Sequence, residues 1–314
     1  MLLKKTIKGL RYAIVNTLPA PLANKLPFGG LTKKSRWSIG IYVGDSLYGL
    51  ATPTSIKNPI LSRRDISDVP TEFVADPFML RVGQSWYMFF ELLNQKTGRG
   101  EIAVATSEDA IDWKYEQIIL AEPFHLSYPY VFEWMNEYYM IPETYQANAI
   151  RLYKASNFPT QWDFVGNIIS DGLFIDSSIF RYQDKWWLFT DSSLDNKSET
   201  LRLFYADELL GTWEEHPKSP IISGNPEIAR PGGRVLVMDD KIIRFTQGCV
   251  PDYGTNVKAF EITELTTTTY KEQNLEKNLV LQPTGSGWNG AGMHNIDAHL
   301  MPNGKWIACV DGRG

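Results

Sequence analysis

The sequence predicts an all-β protein, a five-bladed β-propeller closed by an N-terminal strand. Three observations carry that prediction. A unit of short strand, polar turn and strongly aromatic strand recurs five times along the 314 residues. After the first four copies come a third apolar run and a Trp- or Tyr-marked fourth segment, so the full unit repeats at roughly 50 residues, the pattern of a four-stranded blade. The composition agrees: 13% of the residues are aromatic, including 10 Trp and 15 Tyr, side chains that suit β-sheets and sugar-binding surfaces.

Taken in order, residues 1–36 form an arm apart from the repeats. They hold eight Lys/Arg and no acid, which leaves 23 basic against 36 acidic groups in residues 37–314, a net of −13. The stretch Leu2 to Thr17 reads as a short basic helix stopped by Pro19 and Pro21. Lys8 and Arg11 interrupt its apolar run, so it lacks the core of a signal peptide, and cytoplasm is the default compartment. The arm reads either as a peripheral tether to an anionic membrane surface or as a solvated or domain-packing segment. An acidic body argues against nucleic-acid partners. No uncharged apolar run reaches the ~18 residues of a membrane span, and two cysteines, Cys249 and Cys309, make neither a disulfide framework nor a four-thiolate zinc site.

The propeller occupies 37–314. Its copies read ADPFMLRVGQSWYMFFE (75–91), SYPYVFEWMNEYYMIPE (127–143) and IDSSIFRYQDKWWLFTD (175–191), with looser copies at 229–247 and 296–311. Third strands follow at 102–107, 150–156, 201–207 and 257–263. The fifth copy has only two strands before Gly314, and the run 37–50 supplies the missing outer strands on ring closure.

Aligning the copies puts Asp76, Tyr128, Asp176, Arg230 and Asp297 at the first-strand start, and Glu91, Glu143, Asp191, Gln247 and Asp311 at the second-strand end. In the first three copies the two positions are 15 residues apart. Hairpin strands are antiparallel, so both sets converge on one mouth of the channel. Seven of the ten are carboxylates, a residue type that strands avoid. Taken singly, each can serve a strand end or a turn N–H group. Taken as a ring, they raise one another's pKa values, the condition under which an acid and a base coexist at neutral pH.

Ala75-Asp76-Pro77-Phe78 resembles the Asp-Pro start of the five-bladed propeller glycoside hydrolases of families 32, 43, 62 and 68. The resemblance implies that Asp76 is general base or nucleophile and that Asp176 orients substrate or tunes the acid. A closer likeness is to the N-terminal propeller domain of plant glucosamine inositolphosphorylceramide transferases and bacterial relatives, through FVADPF (73–78), SYPYVF (127–132), PET (142–144), ARPGG (229–233) and MHNIDAH (293–299). In the plant proteins the transferase chemistry is attributed to a separate C-terminal domain. The hydrolase pattern also expects a glutamate at the start of blade four, where this sequence has Arg230. Either Glu227 reaches in, or Glu143 serves as proton donor, or there is no hydrolysis.

These readings give a candidate site. Asp76, Asp176 and Glu143 or Glu227 would carry acid–base chemistry on a glycoside or glycosylated phosphate. Tyr128, Arg230, Glu91, Asp191, His294, Asp297 and His299 would bind the ligand. Arg230 either neutralises Asp76 and Asp176 or holds a phosphate or carboxylate with its planar fork. Tyr128, Tyr130, Trp134, Tyr145 and Trp288 offer stacking faces. Spaced by five on a strand or loop, His294 and His299 face opposite sides and make no two-histidine metal site without partners. No cofactor motif is present, although a hard cation such as calcium could sit among the channel carboxylates. The alternatives are a sugar-transferring enzyme or transferase partner in glycolipid or surface-polysaccharide assembly, and a non-catalytic glycan-binding propeller.

Overall fold

Ring closure is made by the strand nearest the N-terminus. In the computed structural model, which describes residues 19–23, 36–194, 197–238 and 241–314, β1 (Trp37–Gly44) pairs antiparallel with the last strand, β20 (Trp306–Arg313), from Trp37 opposite Arg313 to Gly44 opposite Trp306. β19 (Ile296–Leu300) completes this blade inside, and isolated bridges from Ile39 to Leu61 and from Val43 to Ala51 cover its outer edge. The expected run 37–50 therefore supplies one strand, then a 3-10 turn at Leu47–Gly49. The basic helix expected over Leu2–Thr17 lies outside the described residues.

Blade one is β2 (Thr71–Val82), β3 (Ser85–Asn94), β4 (Arg99–Ser107) and β5 (Lys114–Leu120). Blade two is β6 (Ser127–Trp134), β7 (Glu137–Glu143), β8 (Ala149–Asn157) and β9 (Gln161–Ser170). Blade three is β10 (Ile175–Tyr182), β11 (Lys185–Asp191) and β12 (Thr200–Ala206), edged by the short β13 (Glu214–Glu215) and β14 (Ile222–Ser223). Blade four is β15 (Leu236–Met238), β16 (Lys241–Gly248), β17 (Asn256–Leu265) and β18 (Tyr270–Leu281). Each blade is a separate antiparallel sheet: its strands neighbour in chain order in blades one, two and four, β14 also pairs with β12 in blade three, and β20 lies between β1 and β19 in blade five. The prediction of five blades stands.

The aromatic second strands hold the ring together. Side chains alternate across a strand, so Trp86, Met88 and Phe90 pack toward blade five, while Phe89 packs toward blade two. In β11, Trp186 and Leu188 face blade two and Trp187 and Phe189 face blade four. Both faces of these strands are buried, hence their continuous apolar runs in place of polar alternation.

The first strands of blades one to three share an irregularity that shapes the mouth. The ladder slips between Ala75 and Phe78, between Ser127 and Tyr130, and between Ile175 and Ser178. At each slip a non-glycine residue is left-handed: Asp76 (φ 53°), Tyr128 (φ 45°) and Asp176 (φ 49°). Such backbone is uncommon outside glycine and collects at functional sites. In blade four the same place is taken by Pro231-Gly232-Gly233, and the regular inner strand shrinks to three residues.

Candidate active site at the channel mouth

The bulged residues are tied from blade to blade. Asp76 N donates to Asp311 Oδ2 (3.1 Å), Tyr128 N to Asp76 Oδ2 (3.2 Å), and Asp176 N to Glu143 Oε2 (3.2 Å). A carboxylate of one blade thus satisfies the strained backbone of the next, which makes the ring structural as well as chemical. The six carboxylates Asp76, Glu91, Glu143, Asp176, Asp191 and Asp311 are all at most 7% exposed.

Arg230 enters this ring from blade four. Its Nε donates to Asp176 Oδ2 at 2.6 Å, its Nη2 lies 3.8 Å from Glu143 Oε2, and its Nη1 reaches Ser198 Oγ at 3.4 Å. Gln247 Nε2 also donates to Asp176 Oδ2, at 2.7 Å. The expected ion pair at the mouth is therefore made with Asp176. Asp191 accepts from Ser193 N at 2.7 Å and from the Ser193 hydroxyl. Glu91 Oε1 lies 3.2 Å from His125 Nε2, and His125 Nδ1 accepts from Gly100 N (2.9 Å).

Burial first, and crowding after it, shift the carboxyls toward their protonated forms. Burial drives the Asp76 carboxyl well above its usual range, and Glu91, Asp176 and Asp311 push the same way against the opposing charge of His294. Glu143 is driven up first by burial, then by the charge of Asp176 and a side-chain hydrogen bond with it; Arg230 opposes these in part. Burial also raises Asp191, although Ser193 and Arg230 oppose it. His294 is held between two acids, with Nδ1 2.6 Å from Asp311 Oδ2 and Nε2 3.4 Å from Asp76 Oδ1. Burial works against its charge, but Asp311 and Asp76 outweigh burial and raise its pKa.

Asp76, His294 and Asp311 each offer one ligand atom, all within 4.8 Å of one another. An imidazole nitrogen with two carboxylate oxygens is a donor set that divalent cations accept. These three residues, not the His294/His299 pair, are the ones that could hold a cation.

Four expected site residues lie elsewhere or act otherwise. Asp297 is not at the mouth: it sits deeper, accepting from Arg234 Nε (2.6 Å) and Met79 N (2.6 Å). His299 goes with it, its Nε2 3.2 Å from Asp297 Oδ2. The Glu227 carboxylate is about half exposed and pairs with Lys258 Nζ at 2.7 Å, so it does not reach into the ring. Tyr128 is at the mouth through its backbone, but its ring is 1% exposed and offers no stacking face. Its phenol accepts from Gly233 N (2.7 Å) and meets Ser178 Oγ (2.9 Å), so it plugs the channel.

Several mouth residues escaped the repeat pattern. Trp37, at the start of β1, stacks on His294 with ring centroids 3.9 Å apart. Tyr253, in the loop between β16 and β17, lies edge-on to His294 (5.1 Å) and under the Arg230 guanidinium (5.0 Å), and the residue is 40% exposed. His125 comes from the loop before β6. None carries a periodic signal; the composition alone, rich in Trp and Tyr, hinted at aromatic walls.

Fold and mouth together define the class: a five-bladed propeller with an acidic channel mouth, of the architecture used by glycoside hydrolases. Solved structures agree on the fold. A putative glycoside hydrolase from Parabacteroides distasonis superposes with a TM-score of 0.60 at 11% identity, covering 86% of this chain and 98% of its own. The family 117 glycoside hydrolase Zg3597 of Zobellia galactanivorans gives 0.54 at 16% identity, over 76% and 84% of the two chains. The α-L-arabinofuranosidase PaAbf62A of Podospora anserina gives 0.53 at 10%, over 77% and 90%.

The chain belongs to the family described as "Glucosamine inositolphosphorylceramide transferase 1, N-terminal", which matches residues 31–313. It is 36% identical to glucosamine inositolphosphorylceramide transferase 1 of Oryza sativa subsp. japonica and 33% identical to that of Arabidopsis thaliana, each over 88% of this chain. It spans about 40% of the length of those relatives.

Proposed function

We propose that the mouth binds a carbohydrate and acts on its glycosidic bond by carboxylate acid–base chemistry, the substrate being a glycoside or a glycosylated phosphate. The observation that carries this is Glu143, a buried acid whose surroundings favour its proton-bearing form, in the same ring as Asp76. Cleavage needs one carboxyl to protonate the leaving oxygen while a second attacks or activates water on the other face of the sugar. Glu143 is the donor. Asp76 is base or nucleophile once its proton passes toward His294, 3.4 Å away and backed by Asp311. Asp176, fixed by Arg230 and Gln247, orients the sugar, and Tyr253 presents an aromatic face. The relatives' names add a sugar amine and an inositol phosphate as substrate chemistry suited to an acidic ring with one arginine.

The test is turnover of a panel of 4-nitrophenyl glycosides, including glucosaminides, by wild type, Glu143→Gln and Asp76→Asn. Both substitutions should lower turnover by about 100-fold or more. Wild-type-like turnover by Asp76→Asn on an identified substrate would sink the mechanism.

A second reading has its own observation: Arg230 stands where the resembled hydrolases carry an acid, and the carboxylates are committed to backbone N–H groups. The propeller would then hold a glycan, or serve as partner to a transferase, without turnover. Saturation-transfer NMR showing glycan or nucleotide-sugar binding with no consumption over long incubation selects it. In either form we place the protein in the cytoplasm, peripheral to anionic membrane through the eight cationic residues of 1–36. Salt-sensitive co-sedimentation with phosphatidylserine vesicles but not phosphatidylcholine vesicles is the expected result, and equal recovery with both removes the membrane contact.

A further inference from the structure

We propose that the cavity at the far end of the channel is a second ligand site, for a ring-sized molecule that carries a phosphate or a carboxylate. The mouth is built from the starts of the inner strands. The cavity, of about 410 Å³, is built from their opposite ends, with Trp134, Arg181, Trp186, Arg234, His299 and Trp306 among its lining. That volume is within the range of small-molecule sites, which are mostly apolar with a few fixed polar groups. The Tyr128 phenol, held by Ser178 and Gly233, closes the channel between the two.

The walls are aromatic and the polar groups are largely donors. Arg181 lies over the Trp134 ring at 4.4 Å, while its carboxylate contact, to Asp184 at 3.4 Å, is with a fully exposed side chain. Its guanidinium is therefore oriented by stacking, with donors left for a ligand. Arg234 is packed over Tyr130 (4.9 Å) and bridges Asp297 with Nε and Nη2. Trp186 Nε1 is buried and has no hydrogen-bond partner among the described residues. Among the described residues, the acid lining the cavity is Glu133, exposed at the lip, and Asp297 behind the wall is already engaged by Arg234, His299 and Met79 N. Donor-rich among its described residues and walled by indoles, the pocket selects an acceptor-rich ligand with a flat or ring-shaped body.

Tryptophan fluorescence of the full chain, titrated with glucose 6-phosphate, galacturonate and glucose, tests this. At least one charged sugar should saturate the signal and bind about tenfold or more tightly than glucose. Which one does so distinguishes a phosphate from a carboxylate ligand. Arg181→Ala and Trp134→Ala should each weaken that binding by about tenfold, and Asp76→Asn, at the other mouth, should leave it unchanged. The proposal is overturned if neither charged sugar saturates in the millimolar range, if glucose binds equally well, if Arg181→Ala and Trp134→Ala have no effect, or if Asp76→Asn abolishes binding.

Discussion

At the scale of single residues, the mouth trades stability for protonation. The raised carboxyls of Asp76 and Glu143 are satisfied when neutral, so their contribution to stability is fully present below the unfolded carboxylate range near about 4. It is lost as pH rises through their folded pKa values. Wild type should therefore lose thermal stability as pH rises above the unfolded carboxylate range, and Glu143→Gln, which stays neutral, should lose less. A parallel pH dependence of Tm in both proteins would remove Glu143 as the titrating group. Asp297 has the opposite sign: although burial opposes it, the charges of Arg234 and His299 hold its carboxyl far below the usual range, so its contribution persists until strongly acid pH. Asp297→Asn leaves the Arg234 guanidinium buried without its counter-ion and should cost about 3–5 kcal/mol in urea unfolding. A cost below about 1 kcal/mol would mean that solvent reaches that pair.

At the scale of elements, the bulged hairpin is the unit that could be read in advance. A 15-residue interval between strand start and strand end, kept in three copies, locates Asp76 with Glu91, Tyr128 with Glu143 and Asp176 with Asp191. Blade five breaks the interval: Asp297 and Asp311 are 14 apart, and β19 pairs Asp297 with Cys309. The side chain is thereby carried past the mouth, where Arg234 meets it. Sequence alignment by residue type could not see a one-residue change of register. Blade four departs further, because Gly233 (φ 145°) bonds the Tyr128 plug and lies against Ile296, whose carbonyl oxygen would be 1.9 Å from an added Cβ. Gly233→Ala should thus destabilise by about 3 kcal/mol or more in chemical denaturation. A near-neutral result would show that blade four can shift away from blade five.

At the scale of the whole molecule, β1 ties the two ends of the ring, and Ile39 and Ile41 are wholly buried in the seam between blades five and one. Ile41→Ala should cost about 2–5 kcal/mol. Because every blade leans on its neighbours, near- and far-ultraviolet circular dichroism should still melt together. Separate transitions would mean that the blades unfold as independent units. The repeat, the number of blades, the closing strand and most of the acidic ring were determined by the sequence alone. These follow from local rules: strand alternation, antiparallel hairpins and a buried aromatic second strand. Tertiary structure decided the rest. It turned Glu227 out to Lys258, carried Asp297 and His299 to the far end, and set Trp37, His125 and Tyr253 at the mouth. Those side chains come from loops and from a strand more than 200 residues away from its partner. Only the closed ring fixes which of them face the same space, since no period in the chain encodes that distance.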